Sequence, residues 1–292
     1  MEQNIRSPHP PAPRRRRAWL ILLGLLTLLA IYAICIEPYW LDVTQTPIAL
    51  HRLPPALEGL RIVLLADFHY PVGLPPSYFR RVVACANAQH PDVILLAGDY
   101  IAMSANDAEP CAKVLADLRA PLGVYAVLGN HDYWTDGQRM QRALEHVGIH
   151  VLRNRSVPLP AHGAHVWLVG LDDAWSRLPA VYPQPMLALH GLPPEETTIV
   201  LVHEPDYADT TALFPVDLQL SGHSHGGQVC LPFAENLILP LYARKYPRGL
   251  QHAGALPVFT TRGIGGVSIP LLHWPLRFRC RPEVSVLILH HD

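Results

Sequence analysis

Five short polar motifs stand where apolar runs end: Ala66-Asp67-Phe68-His69, Gly98-Asp99, Gly129-Asn130-His131-Asp132, Val202-His203-Glu204 and Gly222-His223-Ser224-His225. Carboxylate, amide and imidazole groups together suit Mn, Fe or Zn. The five cysteines, Cys35, Cys85, Cys111, Cys230 and Cys280, show no C-x-x-C spacing, which argues against a closed structural zinc site and against a disulfide framework. Asp67, Asp99 and Asn130 with His69, His203, His223 and His225 are seven candidate ligands, too many for one tetrahedral ion. If one aspartate bridges, they fill two sites about 3.5 to 4 Å apart, the separation used for in-line displacement at phosphorus. Two such ions would lower the pKa of a shared water, giving hydroxide at neutral pH, and would neutralise the phosphate.

The spacing inside the motifs agrees with this chemistry. Asp67 and His69, like His223 and His225, are two apart, so in an extended chain each pair projects to one face. Gly98, Gly129 and Gly222 precede candidate ligands, where a missing side chain lets backbones crowd together. Ligands gather at the carboxyl ends of strands in α/β sheets, so five such ends can converge on one crevice.

The elements that must position these residues follow from hydrophobic patterning. Short apolar runs at 61–66, 93–97, 124–128, 150–152, 166–171 and 198–202 alternate with amphipathic helices near 76–89, 110–118 and 138–146, an α/β pattern. After residue 218 strand-like runs dominate, at 218–220, 228–231, 257–261 and 284–289, and suggest a second, more antiparallel half. One further edge strand is expected near 43–50, inside a Pro-rich linker spanning 37–59.

Residues 18–36 are 19 residues without a charge, which at about 1.5 Å per residue reach roughly 28 Å, enough for one membrane pass. The first 17 residues are Arg/Pro-rich, expected to be disordered, and carry +4, which leaves −5 on the rest of a chain whose net charge is −1. The arginines before the apolar stretch predict a cytoplasmic N-terminus and a domain on the far side of the membrane. Arg16-Arg17-Ala18-Trp19-Leu20 also resembles a twin-arginine export signal. No small-residue cleavage site fits, so an uncleaved anchor is expected. A mildly acidic domain without a basic stripe is not a nucleic-acid binder.

The motifs around Asp67, Asp99, Asn130, His203 and His223, with Gly226-Gly227-Gln228 and the tail Leu276-Arg277-Phe278-Arg279-Cys280-Arg281-Pro282-Glu283, resemble the calcineurin-like metallophosphoesterases over about residues 59–289. The tail and the N-terminal anchor are similar to the membrane-associated bacterial branch, which includes twin-arginine-exported phosphodiesterases and the UDP-2,3-diacylglucosamine pyrophosphatases of lipid A synthesis. The resemblance implies an α/β, four-layer αββα sandwich over residues 60–292, preceded by one transmembrane helix. It implies that Asp67, His69, Asp99 and His225 hold a first divalent ion (Mn, Zn or Fe), and that Asp99, Asn130, His203 and His223 hold a second. His131 would stabilise the transition state or protonate the leaving oxygen, oriented by a hydrogen bond with Asp132. The expected activity is hydrolysis of a phosphodiester or pyrophosphate bond, on a lipid-linked substrate suited to an inner-membrane tether. The lipid A reaction is cytoplasmic, opposite to the side that the arginines predict.

Three rival readings compete with this one. Gly222-His223-Ser224-His225-Gly226 also satisfies G-x-S-x-G, the nucleophile elbow of serine hydrolases, but it is followed by a turn and a strand rather than a helix. His203-Glu204 is not H-E-x-x-H, because Tyr207 takes the last place. A metal-bound module without catalysis is the third. Arg262 and Arg277 are candidate substrate-phosphate contacts.

Overall fold

A computed structural model of the chain describes residues 13–71, 73–161, 163–231, 239–266, 268–269 and 274–292. Two six-stranded sheets are stacked face to face. The first has the order β1-β14-β2-β3-β4-β5: β1 is Asp42–Leu50, β14 Glu283–His291, β2 Arg61–Leu65, β3 Val93–Ala97, β4 Val124–Val127 and β5 His150–Val151. The second has the order β10-β11-β9-β8-β7-β6: β10 is Gly249–Ala253, β11 Leu256–Thr260, β9 Leu218–Ser221, β8 Thr198–Leu201, β7 Ala164–Gly170 and β6 Arg155–Ala161. A short antiparallel pair, β12 (Ser268–Ile269) with β13 (Trp274–Pro275), stands apart.

Strand β2 after Arg61 and all of β3 read as unbroken apolar runs because both faces of the sheet are covered. Leu64, Leu95, Leu168, Ile199 and Leu220 fill the space between the two sheets. On the outer face of the first sheet lie α2 (Pro76–Asn87), α3 (Ala108–Leu115) and α5 (Gly137–His146). In α2 a proline opens the first turn, and Tyr78, Phe79, Val82, Val83 and Ala86 recur at helical spacing to form its buried stripe. The outer layer of the second sheet is thinner, built around α6 (Pro185–Ala188) and α7 (Ala208–Thr211). The expected layering is present.

Several expectations are corrected in detail. The centre of the second sheet, β11-β9-β8-β7, is parallel, and only its edge strands β10 and β6 pair antiparallel. The run at 228–231 makes isolated bridges at Val229, which pairs with Phe278, and at Leu231, instead of a strand. Segment 37–59 does contain the expected edge strand, β1, which pairs with β14 along its whole length, from Asp42 opposite Glu283 to Leu50 opposite His291.

Helix α1 (Pro13–Ile31) continues through a π turn, Tyr32–Ile36, and a 3-10 turn, Glu37–Tyr39. It starts inside the segment expected to be disordered, because a proline suits the first helical position and arginine is a good helix former. Residues 1–12 of that segment lie outside the described residues. Arg15–Tyr39 is long and apolar enough to cross a membrane, and Trp19 to Leu29 leave their large apolar side chains exposed. The end of this helix is seated on the domain: Ala33 and Glu37 are buried, the Ala33 carbonyl accepts the Arg277 amide (2.9 Å), and the Glu37 carboxylate accepts the Cys280 amide.

Candidate metal centre

The seven candidate ligands meet at the carboxyl ends of five strands drawn from both sheets. Asp67 and His69 follow β2 and Asp99 follows β3. Asn130 and His131 open α4 (Asn130–Thr135) after β4, His203 follows β8, and His223 and His225 follow β9. Five of them, Asp67, His69, Asp99, His223 and His225, have left-handed backbone with φ between 46° and 67°. Non-glycine residues held there cost roughly 1–3 kcal/mol each and persist where surrounding structure imposes them.

Glycine makes the convergence sterically feasible. A Cβ on Gly98 would lie 2.7 Å from the Gly129 nitrogen and 2.8 Å from His203 Nδ1, and one on Gly222 would lie 2.5 Å from the Ala66 Cβ. One on Gly129 would collide with Asp99 Oδ1.

Three groups of side chains each bring their ligand atoms within 4.8 Å of one another: Asp67, His69 and His225; His69, Asp99 and His131; and Asp99, His203 and His223. His69 Nε2 and His225 Nε2 are 3.1 Å apart. Asp99 Oδ2 is 3.6 Å from His69 Nε2 and 3.2 Å from His203 Nε2, so this one oxygen faces both halves of the centre. His203 Nδ1 donates to the Ala97 carbonyl (2.6 Å) and His223 Nε2 to the Leu241 carbonyl (2.7 Å). These bonds turn His203 Nε2 and His223 Nδ1, 3.2 Å apart, toward a common point beside Asp99.

Burial and charge set the protonation. Burial alone would raise the Asp99 carboxyl, but the His203, His131 and His69 rings hold it well below the usual carboxylate range. Burial disfavours a charged His203, yet Asp99, then Asp67 and Glu204, raise it well above an ordinary histidine. His69 is lowered to about 3 by burial and then by His131, and His223 to about 4 by burial and then by His203. Asp67 is raised to about 7 by burial. The donor set fits divalent cations on the ground of its unmatched atoms. Asp67 Oδ2 and Asn130 Oδ1 are buried with no hydrogen-bond partner among the described residues. Leaving such atoms unmatched costs about 1–3 kcal/mol each, and a cation would satisfy their lone pairs.

His131 is half-buried, its ring edge-on to His69 at 4.7 Å and its amide donating to Asp99 Oδ1 (2.9 Å). The expected hydrogen bond between Asp132 and this ring is replaced by another arrangement. The Asp132 carboxylate accepts four backbone amides, from Gly129 (2.9 Å), Asp99 (3.0 Å), Tyr100 (2.9 Å) and Ile101 (3.2 Å), and so locks the β3 and β4 loops together. The His131 ring instead faces the Ala102 carbonyl through Nδ1 at 3.4 Å.

Arg277 is no phosphate contact. It is buried, and its guanidinium donates to the carbonyls of Gly265, Gly263, Arg262 and Cys280. Arg262 is engaged with Asp42 and Glu283. Ser224 Oγ accepts the Gly226 amide (3.0 Å), and its motif runs into a single 3-10 turn, which counts against a nucleophile elbow.

A sixth strand end escaped the motif reading. Asp172 and Asp173 follow β7, and Asp173 is pushed up to about 11 by burial and the neighbouring Glu204. Glu204 in turn accepts the Ala174 and Trp175 amides (3.0 and 3.1 Å), fixing the loop that carries Trp175 beside His223. The signal was available, since Gly170-Leu171-Asp172-Asp173 ends an apolar run as the other motifs do.

Residues 60–227 match the family profile described as calcineurin-like phosphoesterase. An uncharacterized metallophosphoesterase of Bacillus subtilis, YkuE, is 33% identical over 262 residues, 88% of either chain. The phosphodiesterase YaeI of Escherichia coli is 32% identical over 258 residues, 87% of this chain and 90% of its own. The UDP-2,3-diacylglucosamine pyrophosphatase LpxG of Chlamydia muridarum is 27% identical over 315 residues, 88% of this chain and 92% of its own.

Proposed function

This chain belongs to the calcineurin-like phosphoesterase family and is a metal-dependent phosphoesterase; on that premise we propose that it is anchored by α1 and hydrolyses a phosphodiester or pyrophosphate bond at a two-ion centre. The observation that carries this is the sharing of Asp99 between overlapping ligand groups that use both sheets. Asp67, His69, Asp99 and His225 would hold one divalent ion, and Asp99, Asn130, His203 and His223 the other. When bound, such ions polarise the phosphoryl oxygens and bring a water near neutral pKa.

The chain's own residues supply the remaining chemistry. The His131 ring stands at the opening with its amide fixed on Asp99, placed to protonate the departing oxygen. Asp132 keeps that loop in register through its four amides. Ser224 stays outside the reaction, so no covalent enzyme intermediate forms.

The substrate is proposed to be lipid-linked, in keeping with the apolar helix. A second reading, a UDP-2,3-diacylglucosamine pyrophosphatase, is favoured by the likeness to LpxG along most of both chains. The deciding assay offers the Mn-loaded protein a nucleoside-diphosphate lipid and an aryl phosphodiester. Ser224→Ala should retain turnover on either compound, whereas loss equal to that of His131→Gln would restore the serine-hydrolase reading. Protease accessibility in spheroplasts determines which side of the membrane the domain occupies.

A further inference from the structure

The chain enters the sandwich at the end that carries the candidate centre. Strand β14 runs antiparallel to β2, with Ser285 opposite Leu64, and β1 runs parallel to β14 from Asp42 opposite Glu283. The first residue of β1 is therefore level with the carboxyl end of β2, where Asp67 follows. A short chain of contacts joins helix and centre. The Ala33 carbonyl accepts the Arg277 amide, the Arg277 guanidinium holds the Gly263 and Gly265 carbonyls, and the Gly265 amide donates to the Asp67 carbonyl (2.7 Å).

That same end is rimmed by exposed apolar side chains. Met103, 70% exposed, adjoins Ala102, whose carbonyl faces His131. Exposed Trp134 lies with its ring 5.0 Å from that of His131. Leu178 is exposed next to Arg177, which stacks on Trp134 and Trp175. Leu241, whose carbonyl accepts the His223 ring, and Tyr242 are exposed beside it. Single exposed apolar residues are ordinary, but five near one candidate centre mark an interaction surface.

Exposed arginines stand at this end beside the paired Asp42 and Glu283, although the chain beyond residue 17 sums to −5. Arg177, Arg244 and Arg279 are exposed, and Arg281 lies 4.8 Å over the ring of exposed Trp40, at the helix exit. Indole and guanidinium groups at that position suit the boundary between lipid head groups and water.

We propose that this end of the sandwich lies on the surface of an anionic bilayer, with Met103, Trp134, Leu178, Leu241 and Tyr242 dipping into the head-group region, so that the centre takes its phosphoester from a lipid head group. The inference rests on α1 as a membrane span and deepens the proposed lipid-linked substrate by giving the route through which it arrives.

The test uses the full chain in liposomes of phosphatidylcholine and phosphatidylglycerol that contain a head-group nitroxide lipid. Cys35→Ser and Cys85→Ser remove the accessible thiols, leaving Cys111, Cys230 and Cys280 buried. A fluorophore is then attached at Met103→Cys, at Tyr242→Cys as an independent rim position, or at exposed Ala56→Cys, in the turn Pro55–Leu57 between β1 and β2 at the opposite end. Quenching several-fold stronger at 103 and 242 than at 56 is expected. Equal quenching at all three positions, in protein that floats with the liposomes, overturns the surface orientation and leaves the anchor intact. Protein that does not float overturns the span itself, and the orientation with it.

Discussion

Asp99 divides its carboxylate between two tasks: Oδ1 accepts the His131 amide, and Oδ2 faces His69 and His203. Asp99→Asn puts an NH2 group at one of these places and removes the charge that two cations would share. Turnover should fall by at least ~100-fold, the upper end of what losing an outer-shell partner costs. Bound metal, measured by elemental analysis, should fall with it while circular dichroism stays unchanged; an Asp99→Asn variant with full metal and full turnover would remove Asp99 from the centre. All seven candidate ligands are legible in the sequence because each is a metal-binding residue type at the end of an apolar run. The work of Asp132 is not, because its partners are backbone amides, which leave no mark on a sequence. Arg277 is a similar case: its residue type suggests an anion partner, but its expenditure on carbonyls is a property of the folded loop.

Among the elements, one tight tolerance lies where the chain after β9 passes the chain after β2. An added methyl at Gly222 meets the Ala66 Cβ at 2.5 Å and Asp67 Oδ2 at 3.1 Å, both in fully buried surroundings. Gly222→Ala should lower stability by about 1–3 kcal/mol, the usual cost of overpacking, readable as a shifted denaturation midpoint. Because Asp67 Oδ2 also stands in the path of the added methyl, metal affinity should drop as well, and a variant of unchanged midpoint would show that the strands are not pressed together there. The central strands are legible nearly to the residue, since runs such as 93–97 must be apolar on both faces. Edge strands β6 and β10 are not. The first carries Pro158 and Pro160, and the second alternates burial over only five residues, so neither offers the continuous signal of a covered strand. The parallel centre of the second sheet is also illegible, since the apolar content of a strand does not record the direction of its neighbours.

For the molecule as a whole, cations bound across both sheets would act as a clasp on the sandwich. Removing them with a chelator should lower the melting temperature by roughly 5 °C or more, the effect of losing a ligand present at about 100 times its dissociation constant. Restoring Mn should reverse the change, and a melting temperature indifferent to chelation would deny the clasp. Between helix and domain there is no slack, because Ala33 and Glu37 are already part of the folded body. A catalyst mounted on so rigid a stalk would meet its substrate by two-dimensional drift within one leaflet. Its rate should then follow the mole fraction of target lipid rather than its molarity, and diluting that lipid with inert neighbours at constant total amount should slow the reaction in proportion.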